Sequence, residues 1–266
     1  MKMMLKNKLL LDICNIAIEA GEEILKFYNA DIEVIHKDDN SPLTKADLAS
    51  NKIILKFLEN LDINLPVLSE ETLVEWDKRK NWNKYWLIDP LDGTKEFIKK
   101  NGEFTINIAL IDRNEPILGV IFAPAKSTLY MAKKNCGAFK INTKVKLDSL
   151  DDFTKISVSN QLDCVRIVGS RSHSNANFTN WVKKKFPNAK IVEAGSSLKF
   201  CLIAEGKADL YPRFGPTSEW DIAAGHIIIN EAGGKISTFN ETGISYNTKE
   251  NILNREFYAI GNIKLN

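Results

Sequence analysis

Apolar residues recur at helical spacing near the start of the chain: Leu9, Leu10, Ile13, Ile16, Ala17, Ala20 and Ile24, with Asp12, Asn15, Glu19, Glu22 and Glu23 between them. That period predicts an amphipathic helix whose apolar stripe covers a core. After a polar stretch, Lys37 to Pro42, the pattern Thr44-x-x-Asp47 is a capping box that opens a second helix carrying Leu48, Ile53, Ile54, Phe57 and Leu58. From residue 65 the rhythm shortens. Runs rich in β-branched and aromatic residues predict strands at Leu65 to Leu68, Tyr85 to Ile88, Phe104 to Ile111, Ile117 to Phe122 and Leu129 to Ala132. The stretch Arg113-Asn114-Glu115-Pro116 predicts a hairpin between two of them, and so an antiparallel sheet. Past residue 150 strand and helix alternate: Val165 to Gly169 into Asn175 to Phe186, Lys190 to Val192 into Ser196 to Glu205, Ala208 to Tyr211 into Ser218 to Ala232. The pattern divides the chain into an α+β half, residues 1–148, and an alternating half, residues 149–266.

Composition narrows the class. With 266 residues, 44% hydrophobic and 26% charged, the chain makes one large domain or two intimately packed ones, and disorder, collagen and coiled coil are excluded. The 36 Lys plus Arg against 34 Asp plus Glu leave a net +2, which gives no basic footprint for nucleic acid and leaves open a small anionic ligand held by a local basic cluster. Cys14, Cys136, Cys164 and Cys201 lie far apart, with no C-x-x-C and no His at ligand spacing, so zinc and dithiol redox chemistry are not indicated and a reducing cytosol fits. Lys2, Lys6 and Lys8 before Leu9, Leu10 and Leu11 look briefly like a signal peptide, but Asp12 and Asn15 interrupt the apolar run. No segment reaches the ~20 apolar residues that span a bilayer. The expectation is a soluble cytoplasmic protein, with peripheral association at the inner face of the cell membrane left open.

The densest chemistry is Tyr85-Trp86-Leu87-Ile88-Asp89-Pro90-Leu91-Asp92-Gly93-Thr94. Pro90 has no N–H for a ladder, so the strand is expected to end at Asp89. In the turn that follows, Asp89, Asp92 and the Leu91 carbonyl can converge, and three hard oxygens suit Mg²⁺ or Mn²⁺. The same residues also read as a plain turn with Asx caps. Glu70-Glu71 follows another apolar run, where adjacent acids are either a solvated loop or a cation site. Asp221, just inside an apolar helix, serves either the helix N-terminus or a metal, and Asp47 shares that ambiguity through its capping box.

Taken together, Asp47, Glu70-Glu71, Asp89-Pro90-Leu91-Asp92-Gly93-Thr94 and Trp220-Asp221-x-Ala223-Ala224 resemble the ordered motifs of the lithium-sensitive, magnesium-dependent phosphatase superfamily that includes inositol monophosphatases and bisphosphate nucleotidases. The resemblance spans nearly the whole chain. The wording Lys95-Glu96-Phe97, Gly195-Ser196-Ser197-Leu198-Lys199-Phe200-Cys201 and Leu210-Tyr211-Pro212-Arg213-Phe214-Gly215-Pro216-Thr217 is similar to the bacterial 3'(2'),5'-bisphosphate nucleotidase branch, where an inositol monophosphatase typically has Thr-Asn-Phe in place of Lys95-Glu96-Phe97.

The resemblance implies a five-layered αβαβα sandwich with its site at the junction of the halves. It implies that Glu70, Asp89 and the Leu91 carbonyl hold one Mg²⁺, that Asp89, Asp92 and Asp221 hold a second, and that Glu70 helps place a third. Thr94, oriented by Asp47, matches the pair that positions and deprotonates the attacking water. Gly93, Ser170, His173, Ser197, Lys199 and Arg213 match the substrate-binding side, with Ser170 and His173 near a second phosphate. The bland alternatives are an exposed loop histidine for His173 and solvated surface charges for Lys199 and Arg213. The implied reaction is removal of the 3'-phosphate of adenosine 3',5'-bisphosphate, and action on the sulfated nucleotide PAPS, in sulfate assimilation and nucleotide recycling. An inositol or other sugar phosphate phosphatase is the alternative within enzymes, and a non-catalytic regulator that binds phosphorylated metabolites is the alternative outside them. The implied partner is a small nucleotide bisphosphate rather than a nucleic acid; the superfamily includes monomers and dimers, so a homodimer is left open.

Overall fold

In a computed structural model, which describes residues 8–30, 34–36, 42–160, 164–171 and 176–265, the first apolar stripe forms helix α1 (Lys8–Tyr28). Leu10, Ile13, Ala17, Ala20 and Ile24 are all fully buried along it. A short antiparallel pair, β1 (Val34–His36) and β2 (Pro42–Thr44), leads to α2 (Lys45–Glu59), which starts on the predicted capping box: the Thr44 hydroxyl accepts from the Ala46 amide, and Asp47 accepts from the Thr44 amide. The next elements are β3 (Val67–Ser69), α3 (Trp76–Arg79), β4 (Lys84–Asp92), α4 (Thr94–Ile98), β5 (Thr105–Asp112), β6 (Glu115–Ala123), β7 (Thr128–Lys133), β8 (Gly137–Asn142) and β9 (Thr154–Ile156). The seven strands β3 to β9 form one sheet in sequence order. Its β3–β4 pair is parallel and the rest antiparallel. The hairpin expected at residues 113–116 joins β5 to β6 through Arg113 and Asn114, both at positive φ (49° and 65°), as a two-residue turn between twisted strands requires.

The second half contains β10 (Arg166–Ser170), α5 (Ala176–Lys185), β11 (Lys190–Ala194), α6 (Leu198–Ala204), β12 (Leu210–Arg213), α7 (Glu219–Glu231), β13 (Lys235–Thr238) and β14 (Phe257–Ile260). These strands make a five-stranded sheet in the order β11-β10-β12-β14-β13. Strand–helix alternation alone suggests a parallel sheet, but β14 pairs antiparallel with both β12 and β13. Strand β9 still belongs to the first sheet, so the sheets change over between Ile156 and Arg166, somewhat after the 148/149 division suggested by hydrophobic rhythm.

Three apolar clusters define five layers. Helices α1 and α2 cover one face of the large sheet, through Trp86, Ile88, Ile106 and Phe122. Helices α6 and α7 lie between its other face, with Leu87, Ala109 and Ile121, and the inner face of the small sheet, with Tyr211, Phe257 and Ala259. Helix α5 packs outside the small sheet on Ile167, Leu210 and Tyr258. The order is the αβαβα sandwich. Helix α7 is apolar nearly all round because it has a sheet on each side. Among the described residues, no helix is long and apolar enough to cross a membrane.

Candidate active site

Parallel pairing of β3 with β4 aligns Ser69 with Ile88, so Glu70, just past the end of β3, lies beside Asp89 within β4. The ladder to β5 does not stop at Asp89 as expected from Pro90. It resumes at Asp92, paired with Thr105, after an irregularity between Asp89 and Asp92. Pro90 needs no ladder partner because it sits in that bulge, and its carbonyl accepts the Ser50 hydroxyl of α2 at 2.8 Å. The Leu91 amide donates to Asp89 Oδ1 at 3.1 Å, which draws the turn onto the acid. Gly93, at φ 91°, then starts α4; a methyl here would lie 3.0 Å from the Glu103 carbonyl, so the turn demands glycine on both conformational and steric grounds.

Asp221 arrives from the other half, in the first turn of α7. Ser218 and Asp221 form a second capping box, in which Asp221 Oδ2 accepts the Ser218 amide at 2.8 Å. One carboxylate oxygen each from Glu70, Asp89 and Asp221 lie within 4.8 Å of one another. Burial, and then the charges of Glu70, Asp92 and Asp221, hold the Asp89 carboxyl well above the usual carboxylate range. The Asp221 carboxyl is raised well above that range by burial and then by Asp92 and Glu70. A cluster of hard oxygen donors that repel one another fits a divalent cation that binds carboxylates and waters.

Asp47 lies beside the cluster and serves two partners at once. Its Oδ2 accepts the Thr44 amide and hydroxyl, at 2.8 and 2.6 Å, while its Oδ1 accepts the Thr94 hydroxyl at 3.2 Å. The Thr94 hydroxyl also lies 3.4 Å from the Leu91 carbonyl. Burial raises the Asp47 carboxyl, against the lowering effect of the Thr44 hydrogen bonds.

A cleft of about 280 Å³ joins these residues to the substrate-side candidates: Glu70, Asp89, Leu91, Asp92, Gly93, Thr94, Ser170, Ser197, Lys199, Arg213 and Asp221 all line it. Lys199 is not the solvated surface charge its sequence context allows, being 8% exposed with its ammonium 5.6 Å from the centre of the Tyr211 ring. Arg213 donates from Nη2 to the Pro216 carbonyl at 2.9 Å, and its buried Nε has no hydrogen-bond partner among the described residues. The Ser197 hydroxyl lies 2.7 Å from Asp92 Oδ2, so it faces a neighbouring side chain. His173 lies outside the described residues.

Two cleft features have no clear signal in the sequence. Ser196 takes φ 45°, and its buried hydroxyl has no partner among the described residues. Glu103 accepts the Gly195 amide at 2.9 Å and pairs with Arg171 at 2.8 Å, fixing the turn that carries Ser196.

Comparison with known proteins identifies the family. The model of the inositol monophosphatase family matches residues 7–261. The chain belongs to that family. The family is metal-dependent, in keeping with the acidic cluster. The chain is 46% identical over 256 residues, 95% of this chain and 93% of the other, to the 3'(2'),5'-bisphosphate nucleotidase CysQ of Buchnera aphidicola subsp. Acyrthosiphon pisum. It is 42% identical over 253 residues, 92% of this chain and 96% of the other, to the protein of the same name from Escherichia coli K12. Among solved structures, CysQ from Bacteroides thetaiotaomicron, described as a bacterial member of the inositol monophosphatase family, superposes with TM-score 0.87 and 39% identity, covering 97% of this chain and 99% of that one.

Proposed function

We propose that the chain is a Mg²⁺-dependent phosphomonoester hydrolase that removes the 3'-phosphate of adenosine 3',5'-bisphosphate, giving AMP and phosphate, and that it also accepts PAPS. The observation that carries this reading is the composition of one cleft, which is lined by the acids and Thr94, itself bonded to Asp47, and also by the cations Lys199 and Arg213. A metal-bound phosphate and a second phosphate both find partners of the right charge there. Relatives more than 40% identical over nearly the whole chain carry the name of that activity.

Glu70, Asp89, Asp92, Asp221 and the Leu91 carbonyl are the residues that would hold the divalent ions. When bound, such ions neutralise a phosphate dianion, lower the pKa of water and stabilise the departing alkoxide. The chain's own residues do the positioning. The Thr94 hydroxyl, donating to Asp47 Oδ1, keeps a lone pair for the hydrogen of an attacking water. As the water oxygen bonds to phosphorus and the bond to the ribose oxygen breaks, a proton passes through Thr94 to Asp47, whose burial suits it to accept one, and the released ribose oxygen takes a proton from solvent water to become the hydroxyl of AMP. The Lys199 ammonium, lining the same cleft, favours an anionic group of the substrate.

The test is phosphate release from adenosine 3',5'-bisphosphate and from an inositol monophosphate, in Mg²⁺ and in EDTA, with wild type and Lys199→Ala. Loss of one charge-assisted hydrogen bond should weaken the bisphosphate by about 1.5 to 3 kcal/mol, or roughly ten- to a hundredfold in kcat/KM, and leave a substrate with a single phosphate nearly unaffected. Li⁺ and Ca²⁺ should inhibit. An unchanged ratio between the two substrates would assign the cleft to sugar phosphates, and turnover in EDTA would remove the metal from the reaction altogether.

A further inference from the structure

Asp92 differs from the other acids in what holds it. Its Oδ2 accepts the Ser197 hydroxyl at 2.7 Å and lies 3.5 Å from the Asn107 amide nitrogen. Asn107 Nδ2 donates to Ser197 Oγ at 2.8 Å, while Asn107 Oδ1 accepts the Thr105 hydroxyl at 3.2 Å. Ser197 Oγ lies 3.0 Å from the carbonyl of Asp221, the acid contributed by α7. Ser197 and Asn107 are 1% and 2% exposed, so both side chains depend on these protein partners.

The direction of each bond follows from counting protons. Thr105 donates into Asn107 Oδ1, so the NH₂ end of that amide faces Ser197. A serine hydroxyl that accepts from Asn107 has one proton left to give. Of its two acceptors, the Asp92 carboxylate is both charged and nearer than the Asp221 carbonyl, so the proton goes to Asp92 Oδ2. Two side chains thus hold Oδ2, on an acid that lines the cleft beside the Glu70, Asp89 and Asp221 group without being part of it. The chain of contacts runs from β5 of the large sheet, through the residue preceding α6, to the acid that ends β4.

We propose that Asn107 and Ser197 are positioning residues that fix the Asp92 carboxylate so that Oδ1 faces the cation site. This rests on the reading of Asp92 as a cation ligand. Ser197, matched by resemblance to the substrate side, thereby acts through Asp92 rather than on the substrate. Because Lys199 lies two residues further on, the same tie couples the cation side of the cleft to the wall that carries its buried ammonium.

The alternative is that the three side chains only satisfy one another inside a polar core, and a pair of variants separates the two. Ser197→Ala leaves the Asn107 amide buried without its partner and should lower the melting temperature; adding Asn107→Val removes the orphaned group and should restore much of it. A packing role therefore predicts that the double variant recovers wild-type Mg²⁺ affinity and kcat along with much of the stability, short of the part lost where the Thr105 hydroxyl no longer has Asn107 Oδ1. The positioning role predicts that it stays about ten- to a hundredfold weaker than wild type in Mg²⁺ affinity, measured by calorimetry on the cation-stripped full-length chain, with kcat reduced alongside. A stable double variant with wild-type Mg²⁺ affinity and kcat overturns the proposal, as does a wild-type chain that binds no Mg²⁺. Should the double variant fail to fold, Ser197→Ala alone decides, and unchanged affinity in it overturns the proposal. The titration needs no substrate: weakened Mg²⁺ binding in a chain that leaves adenosine 3',5'-bisphosphate intact would support the positioning role while removing the nucleotidase reading.

Discussion

Asp47 and Asp221 each stand at the third position of a capping box; Asp221 also lines the cleft, and Asp47 bonds to Thr94, which lines it. The two roles coexist because a carboxylate has two oxygens. In Asp47, Oδ2 serves the Thr44 cap and Oδ1 serves Thr94, so a residue that a helix needs for its N-terminus also holds the hydroxyl proposed to position the attacking water. From sequence the two readings compete, because both call for an acid at the same spacing. Separating them takes the Thr94 contact, made across 47 residues. Asp47→Ala should therefore cost α2 about 1 kcal/mol of stability through the lost cap and lower kcat steeply, while Mg²⁺ affinity stays near wild type. Asp92→Asn should lose affinity and rate together. Calorimetric titration of both variants is the check, and equal losses of Mg²⁺ affinity would make Asp47 a ligand.

At the scale of elements, the site depends on how closely α7 approaches the large sheet. Gly119 in β6 permits that approach: a methyl there would sit 2.5 Å from Ile227 Cγ2 and 2.7 Å from the Ala224 carbonyl. The far end of α7 is held as well, since Glu231 accepts the amides of Asn135, Cys136 and Gly137 at 2.7, 3.0 and 2.7 Å. With that end fixed to the β7–β8 turn, Gly119→Ala must tilt or lift the helix that carries Asp221. We expect a loss of about 1 to 3 kcal/mol from overpacking, together with weaker Mg²⁺ binding at a residue that touches no acid. Thermal melts with and without Mg²⁺ measure both, and a stability loss with unchanged affinity would show that α7 yields without moving Asp221. Local pattern makes elements such as α1, α2, the β5–β6 hairpin and the strand before Asp89 legible, because each is set by its own period or turn. It does not reveal β8, β9, β13 or β14, segments of three to six residues that carry too little alternation to stand out from the loops around them. It does not reveal the Asn107–Ser197 bridge either, since its residues are 90 positions apart and nothing in either neighbourhood marks the other.

Across the whole molecule, five layers bring strand ends from one sheet and a helix start from between the sheets to a single point, and the result is a set of acids that the fold must hold together against repulsion. The consequence for stability has a definite sign. Asp89 and Asp221 have carboxyls raised above their unfolded values, by burial first and neighbouring charge second. Their contribution is fully present below the unfolded carboxylate value of about 4, and is lost as pH rises through the raised folded values. The cation-stripped chain should thus lose stability toward alkaline pH. A bound divalent ion pulls the same carboxyls down and removes that dependence, besides adding about 2.7 kcal/mol at a hundredfold excess over its dissociation constant. The gain in melting temperature from Mg²⁺ over EDTA should accordingly be larger at about pH 8 than at about pH 5.5. Asp89→Asn removes the central charge, so it should melt higher than wild type in EDTA, respond little to Mg²⁺ and show a flatter pH profile. If the Mg²⁺ gain is the same at both pH values, or if Asp89→Asn melts lower than wild type in EDTA, the repulsion among these acids is not what the fold holds in check, and the cluster owes its arrangement to hydrogen bonding alone.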